Sequence, residues 1–199
     1  MTDTVDQSYF QELAGRDPSE ICRVAFCGYD FPKQTYCLNV WGEDYLIDPH
    51  KSTIAKKEAR NSRVNILLGL FIMYYLLHVK DIGVSGDWIS EKEVPGGAAF
   101  FRGPHTIPTH LIVERHGDHP EEFEKRCRQL GGTPLEMADA AFAFSITPRI
   151  PVAVLLWEGD TEFPPEAKLL FDKTISEQLP PDVIFSLSFE ICNRIGKQS

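Results

Sequence analysis

Three carboxylates near the end of the sequence have the residue types that chemistry most often uses. Asp160 and Glu162 lie in the string Trp-Glu-Gly-Asp-Thr-Glu-Phe-Pro-Pro, which begins at Trp157, and Asp172 ends the next short apolar segment. Carboxylates at the carboxyl end of a strand can act in acid–base catalysis, bind a divalent metal, or contact a ligand's amide groups. They can also cap turns by accepting backbone N–H bonds. Both interpretations stay open on the sequence alone.

A glycine-containing loop provides a second candidate. In Glu93-Val-Pro-Gly-Gly, the residues Gly96 and Gly97 allow the backbone to approach a ligand or another strand closely. The loop lacks the spacing of a phosphate-binding loop, so it does not indicate nucleotide binding, and a tight turn is the alternative. Trp88 and Phe100 could form a flat apolar wall beside a planar cofactor, although such residues more often belong to the core.

Four histidines fall in the segment 105–119, namely His105, His110, His116 and His119. Imidazole is the commonest protein ligand of transition metals and also binds haem iron. The pair His116 and His119 is the candidate for metal binding. However, Gly117 interrupts the helical register that compact metal motifs use, so surface or capping histidines are the competing interpretation.

The five cysteines do not follow a metal or disulfide pattern. They are scattered through the chain at Cys22, Cys27, Cys37, Cys127 and Cys192. Their odd number argues against a disulfide framework. If residues 22–27 form a strand, alternation points Cys22 and Cys27 to opposite faces. We therefore predict ordinary core thiols.

The elements that must position these residues follow from hydrophobic periodicity. The pattern predicts an N-terminal arm or polar helix over residues 1–20 and a single α+β domain over residues 21–199. Its sheet is expected to be mixed, mostly antiparallel and flanked by helices. A long helix near residues 60–79 is apolar on nearly every face and is therefore expected to be buried.

Shorter elements complete this prediction. Three antiparallel strands are expected from residue 22 to residue 47, with a tight turn near Gly42. Further strands are expected at four later segments: 87–89, 98–101, 141–146 and 152–157. Helices are expected at three segments: 106–115, 120–130 and 182–194.

Composition limits the classes of function. A chain of 199 residues that is 43% hydrophobic can bury one core. Its formal charge of −9 argues against nucleic acid as a partner. The acidic first residues do not resemble a secretory signal, which favours a cytoplasmic location. The apolar stretch over residues 66–77 is too short to insert across a bilayer.

Several short strings together resemble one known family. They are Gly86-Asp-Trp-Ile, Glu93-Val-Pro-Gly-Gly, Leu130-Gly-Gly, Pro148-Arg-Ile-Pro-Val, Leu156-Trp-Glu-Gly-Asp-Thr-Glu-Phe-Pro-Pro and Leu170-Phe-Asp. This combination, over residues 20–195, resembles the prokaryotic domain-of-unknown-function family three-seven-eight-six. In that family the domain is often fused to, or encoded beside, a four-cysteine iron–sulfur module similar to the one in corrinoid iron–sulfur proteins. The four-cysteine motif is absent here, so no iron–sulfur cluster is expected on this chain.

The resemblance implies an accessory protein that binds a corrinoid, a haem-like tetrapyrrole or another redox cofactor in support of iron–sulfur redox or methyl-transfer machinery. Its partner would be an iron–sulfur or corrinoid redox protein. We expect the pocket where the loop 86–101 meets the carboxyl end of the strand that ends at Trp157. The expected cofactor-binding residues are Trp88, Glu93, Gly96, Gly97, Phe100, His105, His110, Trp157, Asp160 and Glu162, and all four histidines of segment 105–119 are candidate axial ligands.

Two other classes of function remain. The first is a metal-assisted or acid–base enzyme centred on Asp160, Glu162 and Asp172, with Glu93 as a further candidate. The second is a protein-interaction module without a ligand, in which the same residues only set turns.

Overall fold

The computed structural model describes residues 5–59 and 64–197, and within them it contains eight α-helices and nine strands. The strands form a four-stranded and a five-stranded sheet, and the recorded strand pairs are antiparallel. Helices and sheets share one main hydrophobic cluster. The predicted α+β class is therefore confirmed.

The chain begins with two short helices, α1 (Gln7–Ala14) and α2 (Pro18–Ala25). Asp17 caps α2 by accepting a bond from the Ser19 N–H, and Pro18 stands in the first turn. The predicted strand at residue 22 was therefore wrong. The β-favouring residues after residue 22 are outweighed by this start signal and by burial of Ile21 and Ala25 at helical spacing.

The four-stranded sheet follows in simple chain order. It consists of β1 (Gly28–Asp30), β2 (Thr35–Val40), β3 (Glu43–Asp48) and β4 (Thr53–Lys56). Trp41 and Gly42 join β2 to β3 and both have positive φ, 51° and 76°, as the mirror-image two-residue hairpin turn requires. The predicted turn near Gly42 is confirmed.

The buried helix is α3 (Ile66–His78). The Asn65 side chain caps it by accepting a bond from the Leu68 N–H at 2.9 Å. Eight of its residues are buried, including Phe71, Ile72 and Tyr75, because α1 and α8 (Pro181–Gly196) pack against it. The predicted helix started earlier, but its residues 60–63 lie outside the described residues. Among the helices that the structure describes, none is both long and apolar enough to cross a membrane.

The first strand of the second sheet and three helices come next along the chain. They are β5 (Trp88–Ser90), α4 (Gly97–Phe100), α5 (His110–His116) and α6 (Pro120–Gln129). The strand predicted at 98–101 was wrong, because Gly96 adopts a φ of 77° and its carbonyl accepts bonds that start a helical turn. The helix predicted at 106–115 begins only at His110, after Pro108.

The five-stranded sheet has the order β5-β9-β8-β7-β6. Its remaining strands are β6 (Thr133–Pro134), β7 (Ala140–Thr147), β8 (Ile150–Trp157) and β9 (Glu166–Asp172), and α7 (Ile175–Gln178) precedes α8. Phe142, Val154 and Phe171 point from one face into the main core, where α5 and α6 pack. On the opposite face, which we call the outer face, the described residues that form the apolar cluster come from strands and loops.

Candidate functional site

The register of the five-stranded sheet places Trp88 and Trp157 on the same outer face. Trp88 pairs with Asp172 and Trp157 pairs with Glu166, so their partners on β9 are six positions apart. An even separation keeps side chains on one face, and six steps of a strand span roughly 20 Å. Trp88, at the start of loop 86–101, therefore lies far from Trp157 along the sheet, and these two residues do not form the expected pocket.

A small apolar cluster lies between the two tryptophans. Its buried members, Ala141, Ala153 and Leu155, have at most 3% of their surface exposed. The half-buried residues that cover them are Trp88, Leu135, Ala138, Trp157 and Leu170. Among the described residues no helix contributes to this cluster, and the half-buried indoles form part of the solvent-facing surface. We call this surface, defined by these eight residues, the indole patch.

The glycine loop is held by its own hydrogen bonds. The Glu93 carboxylate accepts bonds from the Ser90 N–H and Oγ, each at 2.8 Å, and the bond from the N–H holds the pKa of Glu93 below its usual value. A Cβ on Gly97 would overlap the Glu91 carbonyl oxygen. The close approach that Gly97 permits is therefore to the loop's own backbone, as the tight-turn interpretation requires.

Phe100 and His105 do not join Trp88 in one wall. Their rings stack on each other with centroids 4.5 Å apart and planes at 15°, and His105 meets Phe185 of α8 edge-on at 5.6 Å. Phe100 and Phe185 pack against the main core, whereas Trp88 packs against the outer cluster. Loop 86–101 therefore carries Trp88 and Phe100 to opposite sides of the sheet.

The remaining histidines occupy different environments. His110 is exposed at the start of α5, and His119 is exposed with Nδ1 3.6 Å from a Glu121 oxygen. His116 is 3% exposed, its Nε2 lies 3.1 Å from the Ile195 carbonyl oxygen, and burial lowers its pKa. Within residues 5–59 and 64–197, no three His, Cys, Asp or Glu side chains are grouped so as to hold a metal ion. The structure thus does not bring the two predicted metal ligands together in such a group.

Asp160 closes a turn just after β8. One of its oxygens accepts bonds from the backbone N–H groups of Glu162 and Phe163, both at 2.7 Å, and these bonds lower the pKa of Asp160. Its own N–H donates to the Phe163 carbonyl at 2.8 Å. The Glu162 side chain is exposed to solvent. This geometry is the turn-capping arrangement that was one of the two interpretations of the motif.

Asp172 is a buried carboxylate surrounded by donors. It is 3% exposed and accepts bonds from the N–H and Oγ of Ser85, the N–H of Gly86, and the N–H and Oγ1 of Thr174. Burial by itself raises the pKa of Asp172, but the bonds from Thr174, Ser85 and Gly86 outweigh it and lower the pKa to about 2. These bonds join the end of β9 to the segment before β5.

The three carboxylates of the enzyme hypothesis do not converge. Asp160 and Glu162 follow β8, beside the first residue of β9, whereas Asp172 is the last residue of β9. Since β8 and β9 run antiparallel, Asp160 and Asp172 lie at opposite ends of the sheet. Glu93 is occupied with its own turn.

Sequence reasoning missed Arg149, which lies in the string Pro-Arg-Ile-Pro. Its guanidinium donates to the Val24 carbonyl at 2.7 Å, to the Ile82 carbonyl at 2.5 Å and to Asp81, and it lies 4.6 Å from the Phe26 ring centroid. A single arginine between two prolines in an apolar segment was the available signal. It indicates a buried cation, and 7% exposure agrees.

Cys22 and Cys27 pack against the main core, as predicted for core thiols, but their predicted orientation to opposite faces was wrong. Cys22 lies on α2, and the chain reverses at Phe26, whose φ is 53°. The two sulfur atoms are therefore 3.5 Å apart instead of on opposite faces. Cys127 and Cys192 are buried in the main core, as predicted for core thiols.

Comparison with known proteins agrees with the resemblance of the short strings. No curated protein and no solved structure matches the chain. One family model, DUF3786, described as a domain of unknown function, matches residues 17–194. This match includes the indole patch, the Asp160 turn, Asp172 and Arg149. The chain therefore belongs to the DUF3786 family.

Proposed function

We propose that this chain is a non-catalytic accessory protein that binds a corrinoid or a related tetrapyrrole on the indole patch. The observation that carries the proposal is the position of Trp88 and Trp157 on one outer face with an apolar cluster between them. The ligand class follows from the resemblance, because members of this family often accompany a module similar to that of corrinoid iron–sulfur proteins. The partner would then be an iron–sulfur or corrinoid redox protein.

The environments of the carboxylates favour binding over catalysis. A general base needs an oxygen that can reach a substrate proton, and a metal ligand needs a lone pair directed at the metal. Asp172 is buried and surrounded by hydrogen-bond donors. The Asp160 carboxylate accepts bonds from backbone N–H groups of its own turn. Glu93 accepts bonds from Ser90. Asp160, Asp172 and Glu93 therefore have structural tasks. Glu162 is exposed and lies at the opposite end of the sheet from Asp172.

The indole patch suits a large flat ligand. Half-buried indoles offer rigid apolar surface for stacking against a macrocycle. Lys168 lies with its Nζ 5.1 Å from the Trp157 ring centroid, and Glu166 is exposed beside it. These two charged groups can bind the amide or carboxylate side chains that surround a corrin or porphyrin ring. His105 and His116 contact α8 on the other side of the sheet. We therefore expect stacking to hold the ligand without a bond from either imidazole to its metal.

The test is an absorbance titration of the full chain with aquacobalamin and, separately, with haemin. Saturable binding is expected for one of them, and Trp157→Ala should weaken it about tenfold, which is the scale of one lost aromatic contact. The matched control is Phe31→Ala, because Phe31 is an aromatic residue with 66% exposure that follows β1 in the other sheet. The proposal fails if neither compound binds saturably, or if both variants weaken binding equally.

A second candidate, a protein-interaction module without a ligand, is favoured by the turn-setting bonds of Asp160 and Glu93. In that case the indole patch would contact the iron–sulfur protein directly. Sedimentation of the chain with the purified iron–sulfur protein distinguishes the interaction module from the cofactor-binding protein. Complex formation without added cofactor that Trp157→Ala abolishes and Phe31→Ala preserves would favour the interaction module.

A further inference from the structure

Two neighbouring clefts lie on the helical side of the molecule, away from the indole patch. The first has a volume of about 420 Å³ and lies between α5, α6 and the end of α8. The second has a volume of about 350 Å³ and lies between β3, β4, the start of α3 and the end of α8. Arg126 and Lys197 line both clefts, so the two clefts adjoin at these residues.

The charge of these clefts is opposite to that of the whole chain. Six cationic side chains line them, namely Lys56, Arg115, Lys125, Arg126, Arg194 and Lys197. The lining carboxylates are Glu122 and Glu190, and Glu43 at the edge pairs with Lys56 and Arg194. The chain as a whole carries −9. A local excess of positive charge in an acidic protein attracts anions to this position.

Two kinds of cation are present in the clefts. Arg126 and Arg194 are fixed, since Arg126 donates to the Arg194 carbonyl at 2.7 Å and the Arg194 side chain is only 15% exposed. Lys125 and Lys197 are exposed at the surface, and within the described part of the chain their side chains have no ion-pair partner. Fixed guanidinium groups can bind an anion bidentately, and the lysines can close on it as point charges.

A buried polar atom in the wall of the first cleft is an independent sign of a ligand. His116 is 3% exposed and lines this cleft. Its Nε2 bonds to the Ile195 carbonyl, but its Nδ1 has no hydrogen-bond partner among the residues that the structure describes. A buried polar atom without a partner costs about 1–3 kcal/mol. Because Nε2 donates its hydrogen to that carbonyl, Nδ1 is a hydrogen-bond acceptor. A ligand that donates a hydroxyl hydrogen to Nδ1, such as the P–OH of a singly protonated phosphate or an alcohol, would remove this cost.

We propose that the paired clefts bind a small molecule that carries at least two anionic groups, phosphates or carboxylates, one in each cleft. Arg126 and Lys197 contact the ligand between the two groups, and Nδ1 of His116 accepts a hydrogen bond from a hydroxyl of the ligand in the first cleft. The site does not depend on the proposed tetrapyrrole function, because α5 and α6 pack on the face of the sheet opposite to Trp88 and Trp157.

The test is isothermal titration of the full chain with inorganic pyrophosphate and with citrate at low salt. Saturable binding of at least one is expected. Tighter binding of pyrophosphate identifies a phosphate ligand, and tighter binding of citrate identifies a polycarboxylate. The double variant Lys125→Gln/Lys197→Gln should weaken binding about tenfold or more, because one hydrogen bond to a charged group already contributes about that factor.

The control is Lys92→Gln/Lys173→Gln, which changes the net charge equally at two exposed lysines outside the clefts. It should leave the affinity within about twofold of the wild type, since distant surface charges are screened. His116→Gln keeps a donor for the Ile195 carbonyl but removes the unpartnered Nδ1, so it should weaken binding several-fold while the melting temperature without ligand does not fall. The proposal is wrong if neither anion binds saturably at millimolar concentration, or if both double variants lose affinity equally. The cobalamin and haemin titrations can succeed or fail independently of this result.

Discussion

At the residue scale, Asp172 shows how a carboxylate can be buried without acting as a catalyst. Removal from water favours the protonated form, and each N–H or O–H that donates to the carboxylate favours the charged form. Five donor groups from Ser85, Gly86 and Thr174 decide the balance. A low pKa in a cleft often indicates catalysis. Here the donors come from the two segments that Asp172 joins. The lowered pKa of Asp172 therefore results from its structural role.

The pKa of Asp172 predicts how stability depends on pH. The pKa is about 2 in the folded chain and 3.8 in the ordinary state. Because the folded value is the lower one, the stabilisation is fully present above pH 4 and is lost as the pH falls towards 2. The shift corresponds to about 2 kcal/mol of unfolding free energy. Urea unfolding measured over this range should show the loss in the wild type.

Asp172→Asn is the variant that isolates this contribution. It should be about 3 kcal/mol less stable at pH 7, since a buried charged acceptor is removed from its donors. It should also lack the share of the pH dependence that Asp172 causes. The comparison variant is Asp160→Asn, an exposed turn residue, for which we expect a much smaller loss. Equal losses for the two variants would show that Asp172 is not the structural residue inferred here.

At the element scale, Gly97 tests whether the glycine loop is structural. A Cβ at this position would overlap the Glu91 carbonyl oxygen, whereas a Cβ on Gly83 would meet no atom within 4 Å. Gly97→Ala should therefore lower the unfolding free energy by about 2 kcal/mol or more through overpacking. Gly83→Ala should be neutral or slightly stabilising, because it restricts only the unfolded chain. Thermal unfolding of both variants measures the difference. If Gly97→Ala is as stable as the wild type, the loop is not held by this close approach and ligand binding by the loop becomes the better interpretation.

Elements were predictable where start and stop signals agreed with periodicity. For α6, Pro120 stands in the first turn and Gly131 follows the end, and its bounds matched the prediction closely. For α2, the start signal at Asp17 and the β-favouring residues after residue 22 disagreed, and the capped helix prevailed. Long apolar strands such as β8 were found because burial on both faces leaves a continuous apolar run.

The candidate site was less predictable, because it depends on register between elements that are distant in sequence. The spacing of Asp160 and Asp172 along the chain does not reveal that β8 and β9 are antiparallel and place them at opposite ends. Likewise, the strand that carries Trp88 is paired with β9 across more than eighty residues. The residue types in the motif were identified, but their grouping required the sheet.

At the scale of the whole molecule, a few side chains connect elements that lie far apart in the sequence. Trp41, in the turn of the four-stranded sheet, donates from its N–H to the Ile146 carbonyl at 2.7 Å and from Nε1 to the Leu130 carbonyl at 3.0 Å. It thereby ties that sheet to the five-stranded sheet and to the turn after α6. Leu130 and Arg149 both lie within the residues that the family model matches.

Arg149 makes a further connection of this kind, and its replacement is the prediction for the whole molecule. From the turn between β7 and β8 it binds the Val24 carbonyl of α2, the Ile82 carbonyl and Asp81. Arg149→Met would leave two carbonyls without this donor in a site that is 7% exposed. We expect a loss of about 3 kcal/mol, or roughly 10 °C in melting temperature for a chain of this length.

Two further variants define what the loss means. Arg149→Lys keeps the charge but not the planar group that reaches three acceptors, so its melting temperature should lie between those of the wild type and Arg149→Met. Arg102→Met removes an exposed arginine and should change the melting temperature little. If Arg149→Met melts like the wild type, packing alone joins α2 to the five-stranded sheet. If Arg149→Lys is as stable as the wild type, then charge matters at this junction and the geometry of the guanidinium does not.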